Sequence, residues 1–206
     1  MKHIFFTLLF LIGASTYKVS AQYEVQFSNG YPPYNYLNEQ GELVGFNVAI
    51  LNAIENLYEI DITVNSGNWN EINEALNNNN INAIGGVHFP GSPDNNYYYS
   101  RSTINTSHCF FYNSNHLKKF SLEHLRSVKK PLVALWKNDV LVHYIQSINP
   151  SVEFLFVSDY KNLIRALDRK DVTCIFGQRV GGMYYAKELN KDYIRPLEHR
   201  ILERSM

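Results

Sequence analysis

Two segments of the chain end in glycine after the same pattern of residue types. Residues 75–86 and 166–177 share an Ala, a β-branched residue, an Ile and a final Gly at identical spacing. Because glycine has no Cβ, the backbone N–H groups at Gly86 and Gly177 can approach a ligand closely. The repeat predicts two equivalent strand ends that face a ligand. The alternative is that both segments reflect only a common way of packing a helix against a strand.

Metal and thiol chemistry have no recognisable motif in this sequence. The seven His are scattered, and neither a CxxC nor an HExxH pattern occurs, so we expect no metal and no cofactor. Cys109 and Cys174 fall in separate predicted strands. This placement favours two free, buried thiols, although an oxidising compartment would permit a disulfide.

Charge and the amino-terminal residues limit where the protein acts. Nineteen basic residues balance 19 acidic ones, and no basic stripe occurs, so we expect no nucleic-acid partner. Residues 1–21 combine Lys2 with an apolar run and small residues before Gln22. This pattern predicts a cleavable signal peptide and a periplasmic protein. No later apolar segment is long enough to span a bilayer, and we expect a monomer.

The first half of the mature chain alternates strands and helices. The pattern predicts strands at 23–27, 60–64 and 81–87, the last buried on both faces. A helix after Gly45 carries Phe46, Ile50, Ile54 and Leu57 at helical spacing, and Asn68 is typical of a helix N-cap. This βαβαβ order predicts a mostly parallel sheet with crossover helices.

The same alternation restarts after about residue 113. It predicts strands at 132–136, 153–157 and 172–176, with helices between them, one of them capped by Ser158. We therefore expect lobe 1 at 22–113, lobe 2 at 114–195, and a return segment toward lobe 1 at 196–206. Ligands of such sheets bind beyond the carboxyl ends of the strands, which predicts a cleft between the lobes.

Residues 31–54, YPPYNYLNEQGELVGFNVAILNAI, resemble a signature of the bacterial extracellular solute-binding proteins of family three. The resemblance uses the aromatic turn at Tyr31, Pro33 and Tyr34 and the glycines of the following hairpin. Segments 69–84, 124–136 and 166–176 resemble later blocks of the family in the same order. It implies an α/β, two-lobed fold like that of periplasmic binding proteins, with a mostly parallel sheet flanked by helices in each lobe and a ligand cleft between them.

The resemblance also implies which residues line the cleft. The aromatic candidates are Tyr31, Tyr34 and Trp69. The remaining candidates stand where the family keeps its polar ligand contacts, and they are Gly86, Val87, His88, Asp94, Asn138, Asp139 and Gln178.

Several of these residues depart from the family pattern. Asp94 stands where an Arg grips the α-carboxylate of an amino acid, and Gln178 stands where an acidic residue receives the ammonium. An α-amino acid needs both partners, since burying an unpaired charge is costly. We therefore expect common polar amino acids to bind weakly. The ligand would be neutral, cationic, or held by a relocated cation such as Arg101, Lys137 or Arg179.

The resemblance implies binding of a small polar ligand, with an ABC permease or a sensor kinase module as partner. Two alternatives remain open. One is an enzyme similar to cyclohexadienyl dehydratases, with His88, Asp94 or Asp139 as general acid. The other is an interaction protein without a ligand. Family members usually continue for some tens of residues beyond this end, so we also expect a C-terminal truncation that leaves an apolar face of lobe 1 uncovered.

Overall fold

The computed structural model describes residues 22–88, 97–136, 141–198 and 201–206. The expected signal peptide, residues 1–21, lies outside the described residues. Within the described ranges, every helix is too short or too polar to cross a membrane.

The described residues of the first half of the chain form six strands and two helices. In chain order they are β1 (Gln22–Ser28), β2 (Gly30–Tyr31), β3 (Asn35–Leu37), β4 (Leu43–Val44), α1 (Phe46–Tyr58), β5 (Asp61–Gly67), α2 (Trp69–Asn77) and β6 (Ala83–Gly85). Strands β5, β1 and β6 form a parallel sheet in that order, and β2, β3 and β4 form a small antiparallel sheet. The predicted βαβαβ order is confirmed.

The core of this first lobe is small. Val25 and Phe27 of β1 pack with Val48 and Ile62. Strand β6 is a short edge strand with an exposed Ala83, so the expectation that 81–87 is buried on both faces is wrong. An edge strand has one neighbour, and here no second strand of the described residues covers its other side.

The second half of the chain contains a larger sheet. Its elements are β7 (Asn105–Asn113), α3 (Leu122–Ser127), β8 (Leu132–Trp136), α4 (Val142–Ile148), β9 (Glu153–Val157), α5 (Tyr160–Asp168), β10 (Cys174–Gln178), α6 (Arg179–Glu188), β11 (Ile194–Pro196) and β12 (Leu202–Ser205). The strand order is β11-β7-β10-β8-β9, and β12 also pairs with β7. Strands β8, β9 and β10 are parallel, whereas β7 is antiparallel to its neighbours.

Strand β7 is buried on both faces and carries the core of this sheet. Phe111 lies in the cluster that includes Leu163 and Ile164 of α5, whereas Phe110 lies in the cluster with Leu125 and Ile145. Adjacent strand residues point to opposite faces, so one strand supplies both layers. This two-sided core is what holds the second lobe together.

Sheet pairing corrects the expected lobe boundaries. Strand β7, assigned to lobe 1 by the boundary at 113, belongs to the second sheet because it pairs with β10 and β11. The return segment at 202–205 pairs with the start of β7 rather than with the first sheet. Strands β7 and β12 thus form an antiparallel ribbon between the lobes, which we call the hinge ribbon.

One helix cap agrees with the prediction from the sequence, and another does not. The Asn68 side chain accepts hydrogen bonds from the backbone N–H groups of Asn70 and Glu71, as predicted for the start of α2. At α5 the cap is Asp159, which accepts from Asn162 N–H at 2.7 Å, and not Ser158. A carboxylate is the stronger acceptor at a helix N-terminus, where the dipole favours negative charge.

Candidate functional site

A hydrogen bond between side chains joins the two lobes. The Gln178 side-chain amide donates from Nε2 to the Tyr34 hydroxyl at 2.7 Å. Gln178 is fully buried and Tyr34 is 3% exposed. Burial raises the pKa of Tyr34, and the Gln178 hydrogen bond opposes that rise. Two of the predicted site residues therefore meet directly across the cleft.

The start of α6 fits closely against the aromatic turn of lobe 1. Gln178 ends β10 and caps α6, and its Oε1 accepts from the Gly181 backbone N–H. A Cβ at Gly181 would stand 3.3 Å from the Pro32 carbonyl oxygen. The Tyr160 hydroxyl accepts a 3.0 Å hydrogen bond from the Gln178 backbone N–H. The strand end at Gly177 and Gln178 is thus held rigidly toward lobe 1.

Tyr31 and His88 form a second polar contact beside Tyr34. The Tyr31 hydroxyl and His88 Nε2 lie 3.0 Å apart, and the Tyr31 ring stacks on the Tyr34 ring at 5.2 Å between centroids. Burial raises the pKa of Tyr31, and the neighbouring Tyr160 and Tyr34 hydroxyls add to the rise. Tyr31 is therefore a neutral hydrogen-bonding group at physiological pH.

The hinge ribbon supplies the floor of the cleft. His108 lies with its ring centroid 6.3 Å from that of His88 and is 8% exposed. The Nδ1 atoms of His88 and His108 are both buried without a hydrogen-bond partner. Burial, the His88 ring and the positive charge of Arg204 together lower the pKa of His108 to about 4. Burial and Arg204 also lower the pKa of His88, so both rings are neutral near pH 7.

Gly86 lets the lobe 1 strand end pack against a buried amide pair. Asn47 Nδ2 donates to Asn35 Oδ1 at 2.8 Å, and Asn35 Nδ2 donates to the Ser28 carbonyl. Gly86 has a φ of +72°, and a Cβ there would stand 2.5 Å from Asn47 Nδ2 and 2.6 Å from Asn35 Oδ1. A side chain at this position would collide with both amides, so glycine is required.

Trp69 shares a groove with two other predicted site residues. Together with Gly86 and Val87 it lines a groove of about 1070 Å³ on lobe 1. The groove wall includes apolar residues of α1, among them Ile50 and Ile54. Two residues of the apolar stripe predicted for α1 therefore face a groove, and Ile54 and Leu57 are exposed.

Two of the relocated cations considered from sequence, Arg101 and Arg179, border other cavities. Arg101 is exposed and borders the lobe 1 groove. Arg179 donates from Nη1 to the Leu197 carbonyl at 2.9 Å and lines a separate cavity of about 480 Å³. Lys137 lies outside the described residues, and so do the predicted site residues Asp94, Asn138 and Asp139.

Metal ligands and disulfides are not features of the described site. Within residues 22–88, 97–136, 141–198 and 201–206, no three His, Cys, Asp or Glu side chains are grouped to hold a metal ion. Cys109 and Cys174 are free and buried. Burial raises the pKa of the Cys109 thiol to about 11, so this thiol is protonated and unreactive at neutral pH.

Sequence reasoning missed four residues of the cluster: Thr106, His108, Tyr160 and Arg204. His108 directly precedes the apolar residues 109–111 of β7, and a polar side chain that enters a buried strand is a signal because it needs a partner. Arg204 and Thr106 become recognisable only when β12 is placed in register with β7. That pairing links positions about 100 residues apart, which local patterns do not reveal.

The matching family model covers residues 23–147 and describes bacterial extracellular solute-binding proteins, family 3. The matched residues are more than half of the chain and include the aromatic turn, His88 and His108. The chain belongs to this family. A search of curated proteins finds no match.

Solved structures of two-lobed binding proteins share the fold of this family member. A histidine kinase sensor domain with similarity to periplasmic binding proteins is 19% identical, with a TM-score of 0.71, covering 90% of this chain and 80% of that one. An ancestral cationic amino-acid solute-binding protein is 12% identical, with a TM-score of 0.73 and the same coverage. A candidate ABC-transporter binding component from Wolinella succinogenes DSM 1740, in complex with lysine, is 10% identical, with a TM-score of 0.74, covering 89% and 79%. The neighbours thus include both uptake and sensing proteins.

Proposed function

We propose that this solute-binding module holds a small polar ligand between its lobes and reports or delivers it through lobe closure. The observation that carries the proposal is the direct hydrogen bond from Gln178 to Tyr34. It brings the carboxyl end of β10, where ligands of parallel sheets bind, into contact with the aromatic turn of lobe 1. Tyr31, Tyr34, Gly86, Val87, His88 and Gln178 are the described residues that we assign to the site.

Ligand binding must compete with or extend this contact. A ligand that gives Gln178 an acceptor and Tyr34 a partner replaces one interlobe hydrogen bond by two. Ligands shift a two-state equilibrium only by their differential affinity for the two states. Closure around the ligand is therefore favoured when it contacts both lobes at once, as in hinge closure of two-domain binding proteins.

We propose binding and not catalysis. A general acid needs a proton to give near neutral pH, and burial together with Arg204 lowers the pKa of His88. The His88 ring is thus neutral and already engaged with Tyr31. Asp94, Asn138 and Asp139 remain proposed site residues outside the described part of the chain.

The cellular setting belongs to the same proposal. We propose export through residues 1–21, residence in the periplasm as a monomer, and partnership with an ABC permease or a sensor kinase module. The apolar run before Gln22 supports export. Mass spectrometry of the periplasmic fraction is expected to find a mature terminus near Gln22, and Met1 on a cytoplasmic protein would contradict it.

A thermal-shift screen of polar metabolites tests the binding function. A ligand is expected to raise the melting temperature of the wild type, because binding to the folded state alone stabilises it. Tyr34→Phe and Gln178→Ala should lose most of that shift. Tyr144→Phe, at an exposed position of α4, should keep it. Shifts that persist in both cleft variants would contradict the proposal.

A further inference from the structure

The hinge ribbon presents a row of polar side chains to the cleft. Arg204 of β12 pairs directly with Thr106 of β7, and Leu202 pairs with His108. Residues in direct register on antiparallel strands point to the same face, and alternate residues share that face. Thr106, His108 and Arg204 therefore project from one face of the ribbon. Thr106 and His108 are buried, and Arg204 is half-buried.

Lobe 1 residues meet this face of the ribbon. His88 lies against His108, and the Tyr31 hydroxyl lies beside the Thr106 hydroxyl. The Arg204 charge acts on Tyr31, His88 and His108 alike. The guanidinium is therefore positioned at the cleft, a short distance from the aromatic turn.

Arg204 has no carboxylate partner within the described ranges. The ion pairs there involve Lys130, Lys161, Arg169 and Lys191. In addition, His108 is more than nine-tenths buried, and its Nδ1 lacks a hydrogen-bond partner. Buried polar atoms are normally paired. An unpaired cation and an unpaired imidazole nitrogen at one cleft indicate a missing anionic ligand.

We propose that Arg204 binds the carboxylate of the ligand, with His108 and Thr106 as neighbouring hydrogen-bond partners. A guanidinium recognises a carboxylate through two parallel N–H···O bonds. The stacked rings of Tyr31 and Tyr34 then contact the body of the ligand. Among the described residues of the cluster, no acidic side chain is present to receive an ammonium group. The ligand class is a small monocarboxylate with an uncharged body, and the inference rests on the proposed function.

The test is isothermal titration calorimetry of the full mature chain at pH 7.5. The probes are propionate, benzoate and 3-phenylpropionate, each compared with its uncharged amide and, for the last, with phenylalanine. At least one carboxylate is expected to bind about tenfold or more tightly than its amide and than the amino acid. Arg204→Gln should weaken the binding of that carboxylate by about 10- to 100-fold, and Arg204→Lys should weaken its binding less. Arg126→Gln, at an exposed arginine of α3, should bind like the wild type.

Circular dichroism checks that each variant folds. If Arg204→Gln does not fold, the carboxylate affinity of Arg204→Lys tests the inference in its place. Carboxylate affinity that is unchanged in the folded variants would overturn the inference. A non-carboxylate metabolite that binds through Tyr34 and Gln178 would also overturn it, while the proposed function would stand. If neither the carboxylates nor the metabolite screen yields a binder, both the inference and the proposed function are contradicted.

Discussion

Gln178 donates a hydrogen bond to Tyr34 across 144 positions of sequence, and the two side chains are almost completely buried. The donor ends the central strand of the second lobe, and the acceptor lies in the aromatic turn of the first. Since each residue is fixed by its own lobe, the bond reports directly on the relative position of the lobes. The proposed closure of the lobes depends on it.

A double-mutant cycle should detect this bond as a coupling between the lobes. Tyr34→Phe leaves the Gln178 amide without its partner, and Gln178→Leu leaves the Tyr34 hydroxyl and the Gly181 N–H unpaired. Each is expected to lower the free energy of unfolding by about 1–3 kcal/mol. The double variant should lose about 1 kcal/mol less than the sum of the two. Urea denaturation measures all four proteins, and strictly additive losses would show that the contact contributes nothing.

Three glycine substitutions should separate backbone strain from collision. Gly30→Ala meets open space and is expected to be nearly neutral. Gly41→Ala meets open space at a φ of +79°, which should cost about 1 kcal/mol. Gly86→Ala adds a collision with Asn35 and Asn47 to its positive φ and should cost more than Gly41→Ala. Thermal or urea unfolding ranks the three variants. A Gly86→Ala loss no larger than that of Gly41→Ala would contradict the close packing described.

Stability should fall on mild acidification because of His108. Its pKa is about 4 in the folded protein against an ordinary value of 6.5. Between these values the unfolded chain binds a proton that the folded protein does not, so acidification favours unfolding. His88, also held below its usual pKa, acts in the same direction. The His108 contribution to stability is fully present above pH 6.5 and is lost as the pH falls toward 4.

Between pH 7.5 and pH 5.0, the expected loss in the free energy of unfolding from His108 is about 2 kcal/mol. Urea denaturation at both pH values measures it, with His108→Asn as the test variant. That variant should lose less stability on acidification than the wild type. His143→Gln, at an exposed position of α4, serves as the control and should match the wild type. An equal loss in His108→Asn and in the wild type would contradict the assignment.

The sequence predicted the elements better than the contacts between them. Strands at 132–136 and 153–157 have the predicted bounds, because a short β-branched or aromatic run between turns is a strong local signal. The sheet that β7 joins could not be predicted from the sequence, since pairing with β11 and β12 depends on residues some 80 to 100 positions later. The hydrophobic pattern correctly predicted the helix α1, but it did not reveal that Ile50 and Ile54 line a groove. Periodicity identifies a stripe but not what covers it.

The residues of the site also divide into those that local sequence patterns predict and those that depend on distant pairing. The aromatic turn led to Tyr31 and Tyr34, and the strand end led to Gln178, because these positions follow elements visible in the sequence. Arg204 and His108 were missed, since their relation is set by register across the hinge ribbon. A polar residue alternating with apolar ones is ordinary in an exposed strand. It becomes informative only when both faces of that strand are known to be buried.

The most direct test of the account is the distance between the lobes in solution. Spin labels at Ala53→Cys in α1 and Lys187→Cys in α6, both exposed, report that distance by double electron–electron resonance, while the native cysteines are buried. The protein with an intact Tyr34–Gln178 bond is expected to give one narrow distribution. Adding Gln178→Ala should introduce a second, longer distance, and a cleft ligand should restore the short one where it binds. A distribution that is identical with and without Gln178→Ala would contradict closure of the lobes through this contact.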